Sequence, residues 1–274
     1  MKKKIFIIIV TTILGIFAFI SLYPLFFVFM TSFKNNAEFY NDFFGLPAKF
    51  RWWNYLPVLY STLGWLKNSA IYSGVTLVVV LIVTSTMGYG FARYKFKFKE
   101  LWFYVLLAPM MIPGLLVLPS LYIEIVQFGW QNQIWSLLFP WTAGSIPISV
   151  LILRRFFATQ PIELFEAAKV DGASELRIFM SIAIPLAKPI LTTVAILNIL
   201  GTFNDLLWPM VAIGKQSLLP VSVGILNYGI GSTGGALGYG NIFASYVLAT
   251  LPVLILFAFM ARSFVNAITE GAIK

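Results

Sequence analysis

From Ile5 to Met30 the chain carries no charged side chain at all. A helix rises about 1.5 Å per residue, so about 20 apolar residues cross a hydrocarbon core roughly 30 Å thick. Five further stretches are apolar over a comparable length with at most one charged residue each, at 66–91, 101–125, 134–153, 189–212 and 242–265. The expectation is an all-α polytopic membrane protein with six transmembrane helices, forming a single transmembrane domain over residues 1–274. The opening Lys2-Lys3-Lys4 followed by an apolar run resembles a secretory signal. The apolar part of such a signal spans about 7–15 residues and ends at a small-x-small cleavage site. This run continues to Met30 without such a site, so it is expected to remain as a span.

Composition removes most catalytic chemistry. The 274 residues are 59% hydrophobic and 11% charged, against about 45–50% and about 25% in an ordinary soluble chain. With no Cys and no His, disulfides, thiolate chemistry, imidazole metal sites and His-based dyads or triads are excluded, and no catalytic or metal-binding set is expected. The net charge of +9 does not mark a nucleic-acid reader, because the basic residues punctuate apolar runs instead of filling a polar face.

Those basic residues set the orientation, since Lys and Arg are retained on the cytoplasmic side. With the amino terminus inside, Lys2, Lys3, Lys4, Arg93, Lys95, Lys97, Lys99, Arg154, Arg155, Lys169, Arg177, Lys188, Arg262 and Lys274 are cytoplasmic, 14 of 19. Both termini are then cytoplasmic, and the basic surplus meets the anionic lipid of the bilayer. Two longer outer segments, 31–65 and 213–241, are candidates to meet a partner. The first carries Trp52-Trp53, Tyr55, Tyr60 and Trp65, aromatics suited to a headgroup interface or to a docking surface. Pro24, Pro109, Pro113, Pro119, Pro140, Pro147, Pro209 and Pro252 fall within the spans. Each frees a backbone carbonyl that neighbouring helices, hydroxyls or water must satisfy, so their clustering favours a bundle around a polar path.

The longest inner loop runs over 154–188. Pro161 precedes Ile162-Glu163-Leu164-Phe165-Glu166-Ala167-Ala168-Lys169-Val170, with an acid in the first turn and good helix formers after it. Asp171-Gly172 reads as a turn, and Ser174 as the cap of a second short helix leading to Pro185 at the membrane edge. Such a helix–turn–helix can be received by a partner's groove.

These residues resemble a known family. Glu166-Ala167-Ala168, three residues, Gly172, nine residues, then Ile182-Ala183-Ile184-Pro185 are similar to the E-A-A, x3, G, x9, I-x-L-P signature of ABC importer permeases, with Ile184 a volume-conserving replacement of Leu. Asp171-Gly172-Ala173-Ser174 and Gly88-Tyr89-Gly90-Phe91-Ala92-Arg93 resemble the carbohydrate-uptake subgroup. The likeness continues through Pro109-Met110-Met111-Ile112-Pro113, Phe203-Asn204-Asp205-Leu206-Leu207-Trp208-Pro209 and Gly271-Ala272-Ile273-Lys274, where the family more often has Asn-Glu in place of Asn204-Asp205. It covers nearly the whole chain and points to the smaller permease subunit of maltose-type importers.

The resemblance implies a type I ABC importer permease fold in the prokaryotic cell membrane. It also implies a heterodimer with a second related permease, two cytoplasmic ATPase subunits that bind MgATP, and an extracytoplasmic binding protein that delivers a sugar or oligosaccharide. This chain itself would carry no cofactor and would not be an enzyme. Glu166, Ala167, Ala168, Asp171, Gly172 and Pro185 are the ATPase-coupling candidates, with Gly172 expected to need positive φ or close approach. Asn204 and Asp205 are candidates for the translocation path, because a charge inside a span ordinarily faces protein or water; a helix-packing contact is the competing role. Glu124 is the other acid expected within or at the rim of a span, near the outer interface.

Gly229-Ile230-Gly231-Ser232-Thr233-Gly234 matches G-x-G-x-x-G without the preceding strand that a dinucleotide site needs, and the Gly-rich 229–240 stretch is expected to be a flexible outer loop. No G-x-x-x-x-G-K-[ST] phosphate loop occurs. A permease for a non-sugar solute stays open. An ion-coupled secondary transporter would need repeated halves and buried ion-binding acids, and an intramembrane enzyme a convergent catalytic set.

Overall fold

The computed structural model describes residues 2–232 and 238–272, with side-chain surroundings for residues 3–229, 231, 238–255 and 258. Among the described residues every regular element is helical. Helix α1 spans Lys2–Thr31, α2 Asn36–Asn41, α3 Leu56–Arg93, α4 Lys99–Leu107, α5 Gly114–Gln127 and α6 Trp135–Thr159. They are followed by α7 Ile162–Val170, α8 Glu175–Ile178, a π-helical stretch Phe179–Ala183, α9 Ile184–Leu186 and α10 Lys188–Asn204. The rest are α11 Leu207–Ala212, α12 Val221–Ser232 and α13 Tyr239–Ala272. Two compact units divide the chain, one of Met1–Gly64 with Gly224–Ile255 and one of Trp65–Val223 with Leu256–Lys274.

Among the described residues three helices are singly long and apolar enough to cross a membrane, over Lys3–Thr31, Trp52–Arg93 and Trp135–Thr159, or up to five if each of two bent pairs is one span. A further apolar helix covers Tyr239–Ile255. In α1 no residue of its most apolar stretch is buried by the chain itself. A helix that is apolar all round belongs against lipid or another protein.

Several boundaries differ from the sequence expectation. The second apolar helix begins at Leu56, ten residues before the predicted 66. The stretch 101–125 is not one helix: α4 runs into a 3-10 turn at Ala108–Met111, stops at Pro113, and α5 leaves at 98°. Pro109 and Pro113 cannot donate to the ladder, and Ile112 before Pro113 is held extended with ψ 122°. The stretch 189–212 breaks at Asp205–Leu206. Arg154 and Arg155 lie inside α6, which continues to Thr159, so the loop expected over 154–188 starts later than residue 154. Within 213–241, α12 takes Gly229 and Gly231 into a helix where a flexible loop is expected; residues 233–237, and with them Thr233 and Gly234, lie outside the described residues. The Ile273-Lys274 end of the chain's last motif lies outside them too.

In the second unit a core of Val80, Tyr89, Leu153, Phe157, Phe165, Ile178, Ala183, Ala187 and Val194 joins α3, α6, α7, α8 and α10. Close approach is built in at Gly88, where an added Cβ would stand 2.7 Å from Cβ of Leu153. Hydroxyls and amides bind the same helices: Asn198 donates to Ser145 at 3.0 Å and Thr202 to Ser73 at 2.9 Å. Between apolar helices such bonds serve as interhelical glue.

Candidate functional site

The loop that follows α6 is a helix, a turn and a helix, as the sequence predicts. Gln160, held extended by the following Pro161 with ψ 139°, ends α6. Helix α7 then starts at Ile162. It ends in a Schellman motif: the amide of Gly172 donates to the carbonyl of Lys169, and the amide of Ala173 to that of Ala168, each at 3.0 Å. Gly172 has φ +77°, the left-handed conformation that glycine adopts without a Cβ penalty. Ser174, extended with ψ 154°, caps α8 by accepting from the Arg177 amide at 3.4 Å.

Pro185 lies in α9, past a π-helical stretch in which the Ile184 amide reaches back to Phe179. Pro185 lacks an amide hydrogen for the Ser181 carbonyl, and its ring would crowd that carbonyl in a regular α-helix. The wider π turn over Phe179–Ala183 gives it room. The helix then bends by 75° at Ala187 into α10.

The signature residues divide between two faces of α7. Phe165 is buried, with Ala168 and Ala173 packed against the same core. Glu166, Ala167, Asp171 and Gly172 are exposed, and Val170 is 88% exposed. Exposed Leu164, Leu176 and Met180 add further apolar surface to the loop and to the turns that follow it. The triplet is split between two faces: Glu166 and Ala167 face out, while Ala168 packs against the core.

Contacts that sequence reasoning missed tie this loop to the end of α3. Arg93 donates to the Gln160 carbonyl at 2.8 Å and lays its guanidinium 4.0 Å from the centre of the Phe165 ring. Tyr94 donates to Glu175 at 2.8 Å, and the other oxygen of Glu175 pairs with Lys169 at 2.6 Å. The Lys169 and Tyr94 hydrogen bonds hold the Glu175 carboxyl below its usual range, and Glu175 in turn raises Lys169. Burial first, and the Glu175 carboxylate second, push the Tyr94 phenol up to about 12. The contacts from α3 leave no local spacing signal, because Arg93 and Gln160 are 67 residues apart and Tyr94 and Glu175 are 81 apart.

Asp205 sits at the break between α10 and α11 as a junction. Its carboxylate accepts from Trp141 Nε1 at 2.6 Å and from the Trp208 amide at 3.4 Å, and its carbonyl accepts from Ser222 at 2.7 Å. Asn204 beside it is exposed. Asn198, one helical turn before Thr202, is the buried polar residue of this region that sequence reasoning overlooked; the i, i+4 spacing of Asn198 and Thr202 on one helix face is the signal that marks it.

The fold is shared with an ABC transporter of known structure. A chain of the crystal structure of a bacterial ABC transporter involved in the import of the acidic polysaccharide alginate superposes with a TM-score of 0.82 at 22% identity, over 95% of this chain and 97% of that one. The chain belongs to the family of binding-protein-dependent transport system inner membrane components, whose model matches residues 85–270. It is 30% identical to the trehalose/maltose transport system permease protein MalG of Thermococcus litoralis, over 94% of this chain and 93% of that protein. It is 29% identical to the diacetylchitobiose uptake system permease protein NgcG of Streptomyces coelicolor, over 96% and 87%. It is also 29% identical to the maltodextrin transport system permease protein MdxG of Bacillus subtilis, over 95% and 94%.

Proposed function

We propose that this chain is the membrane permease subunit of an ATP-driven importer for a sugar or oligosaccharide, with six helices crossing a prokaryotic cell membrane and both termini cytoplasmic. It forms half of the translocation path with a second related permease. Two ATPase subunits hold and hydrolyse MgATP, and an extracytoplasmic binding protein delivers the solute. The solute class rests on the relatives named for trehalose/maltose, diacetylchitobiose and maltodextrin.

The observation that carries the coupling role is the two-faced α7, anchored by Phe165 and Ala168 and presenting Glu166, Ala167 and Val170 outward. A short helix fixed on one side and bare on the other suits a partner's cleft. ATP-driven closure of the ATPases would then move α7 and, through it, the spans between two packings. Gly172 and Asp171 keep the helix end in register with the strut through Pro185 to α10. Asn204 and Asp205 are assigned to the path at the break in α10–α11.

Uptake of labelled oligosaccharide by proteoliposomes containing this chain, its cognate permease, ATPase and binding protein tests the proposal. ATP-dependent accumulation is expected. ATPase activity indifferent to the binding protein, with no accumulation of any oligosaccharide that the binding protein retains, would sink it.

A further inference from the structure

The covalent outputs of the inner loop are α6 on one side and α10 on the other. The end of α3 grips the same loop at both ends without a covalent link. At the loop entrance, Arg93 donates to the carbonyl of Gln160 and stacks on Phe165, the buried anchor of α7. At its exit, Tyr94 donates to Glu175, the first residue of α8, and Glu175 reaches back to Lys169 in the last turn of α7. One turn earlier Tyr89 is buried among Phe157, Phe165 and Phe179, with ring centres 5.5, 6.2 and 5.1 Å away. The last turn of α3 and Tyr94 directly after it therefore touch the helix before the turn, the turn's closing ion pair and the helix after it.

We infer that Arg93 and Tyr94 make α3 a third output of the coupling loop, so that a displacement of α7 is delivered to α3 through Gln160, Phe165 and Glu175 as well as through the chain to α6 and α10. This rests on the coupling role proposed above. The geometry favours transmission over mere fastening. Packed aromatics and charge-assisted bonds shift as discrete units, and the grip engages both ends of α7, so neither a tilt nor a translation of that helix leaves α3 behind. Tyr94 and Glu175 are positioning residues in this scheme and are not expected to touch the ATPase.

The test uses the assembled importer in proteoliposomes and reads ATP hydrolysed per sugar imported. Tyr94→Ala and Glu175→Ala are expected to raise that ratio by about threefold or more, the range of effects along a coupling network, with Tyr94→Phe giving the same change because only the hydroxyl bonds Glu175. Arg93→Lys keeps the charge and loses the fork, and is expected to follow them. Since the chain has no Cys, a Tyr94→Cys/Glu175→Cys pair joined by a bifunctional thiol reagent replaces the grip by a covalent one. Joining is expected to restore the wild-type ratio. An unchanged ratio in Tyr94→Phe and Glu175→Ala, or a joined pair that stops uptake, would overturn the inference. In both cases cross-linking of α7 to the ATPase would persist, so failure here is distinguishable from failure of the coupling role, in which that cross-link is missing.

Discussion

The amide of Ala173 donates to the carbonyl of Ala168 at 3.0 Å, across a left-handed Gly172. That bond gives a physical reason for the three-residue gap between the triplet and the glycine. Ala168 is the C3 position and Gly172 the C′ position of one Schellman motif, so the interval is fixed by how a helix ends. Replacing Gly172 by Ala places a Cβ in the left-handed region at a cost of about 1–2 kcal/mol. Gly172→Ala is expected to insert normally, unfold several degrees lower in detergent and lose most uptake, with Gly172→Asn intermediate because Asn tolerates this conformation. Equal stability of the two variants and the wild type would contradict the role of the turn.

Gly88 predicts a steric effect with a defined direction. A methyl there meets Leu153 Cβ at 2.7 Å and the Arg154 amide nitrogen at 3.2 Å, in contact with backbone that cannot yield cheaply. Gly88→Ala is expected to cost about 1–3 kcal/mol through overpacking, read as a lower thermal midpoint. Gly90, with open space where its Cβ would stand, is expected to accept Ala with little change.

For Asp205 the two roles separate experimentally. Asn keeps one acceptor oxygen, which can serve the Trp141 ring nitrogen in place of Oδ2, and gives up only the longer 3.4 Å bond from the Trp208 amide while removing the charge. If the carboxylate acts as a junction, Asp205→Asn retains most stability and uptake, whereas Asp205→Ala leaves Trp141 Nε1 unpaired and costs about 2 kcal/mol. Loss of uptake in Asp205→Asn at unchanged stability would instead place the charge itself on the path.

The Tyr94–Glu175–Lys169 contact has a predictable pH window. Glu175 is held below its ordinary 4.5, so its contribution is fully present above that value and is lost as pH falls through the lower folded one. Lys169 is raised above 10.5 and Tyr94 from 10.0 to about 12, so their contributions are present below those ordinary values and lost as pH rises through the folded ones. The difference in thermal midpoint between wild type and Glu175→Gln is therefore expected to be flat from about pH 5 to 9 and to close in acid. A difference that grows on acidification would contradict the pairing.

Much of the arrangement was legible in the chain. Long charge-free runs give helices because backbone groups in lipid must pair internally, and Pro161, Gly172 and Ser174 mark the ends of α7 and the start of α8 through ordinary capping chemistry. The breaks were not legible. Pro24, Pro119, Pro140, Pro147 and Pro252 sit inside helices, while Pro109 and Pro113 end one, and the residue type is the same in both settings. The split of Glu166-Ala167-Ala168 between an exposed and a packed face depends on where Phe165 meets Tyr89, a contact 76 residues apart in sequence that periodicity alone does not reveal.

The most direct measurement of the central claim is a cysteine scan of α7 in the naturally Cys-free chain, cross-linking each position to the cognate ATPase in the assembled importer. Glu166→Cys, Ala167→Cys and Val170→Cys are expected to cross-link and Ala168→Cys to remain unreacted, following the bare and packed faces of the helix. Cross-linking at Ala168 with none at Ala167 and Val170, or none at any position in an importer active in uptake, would contradict the account.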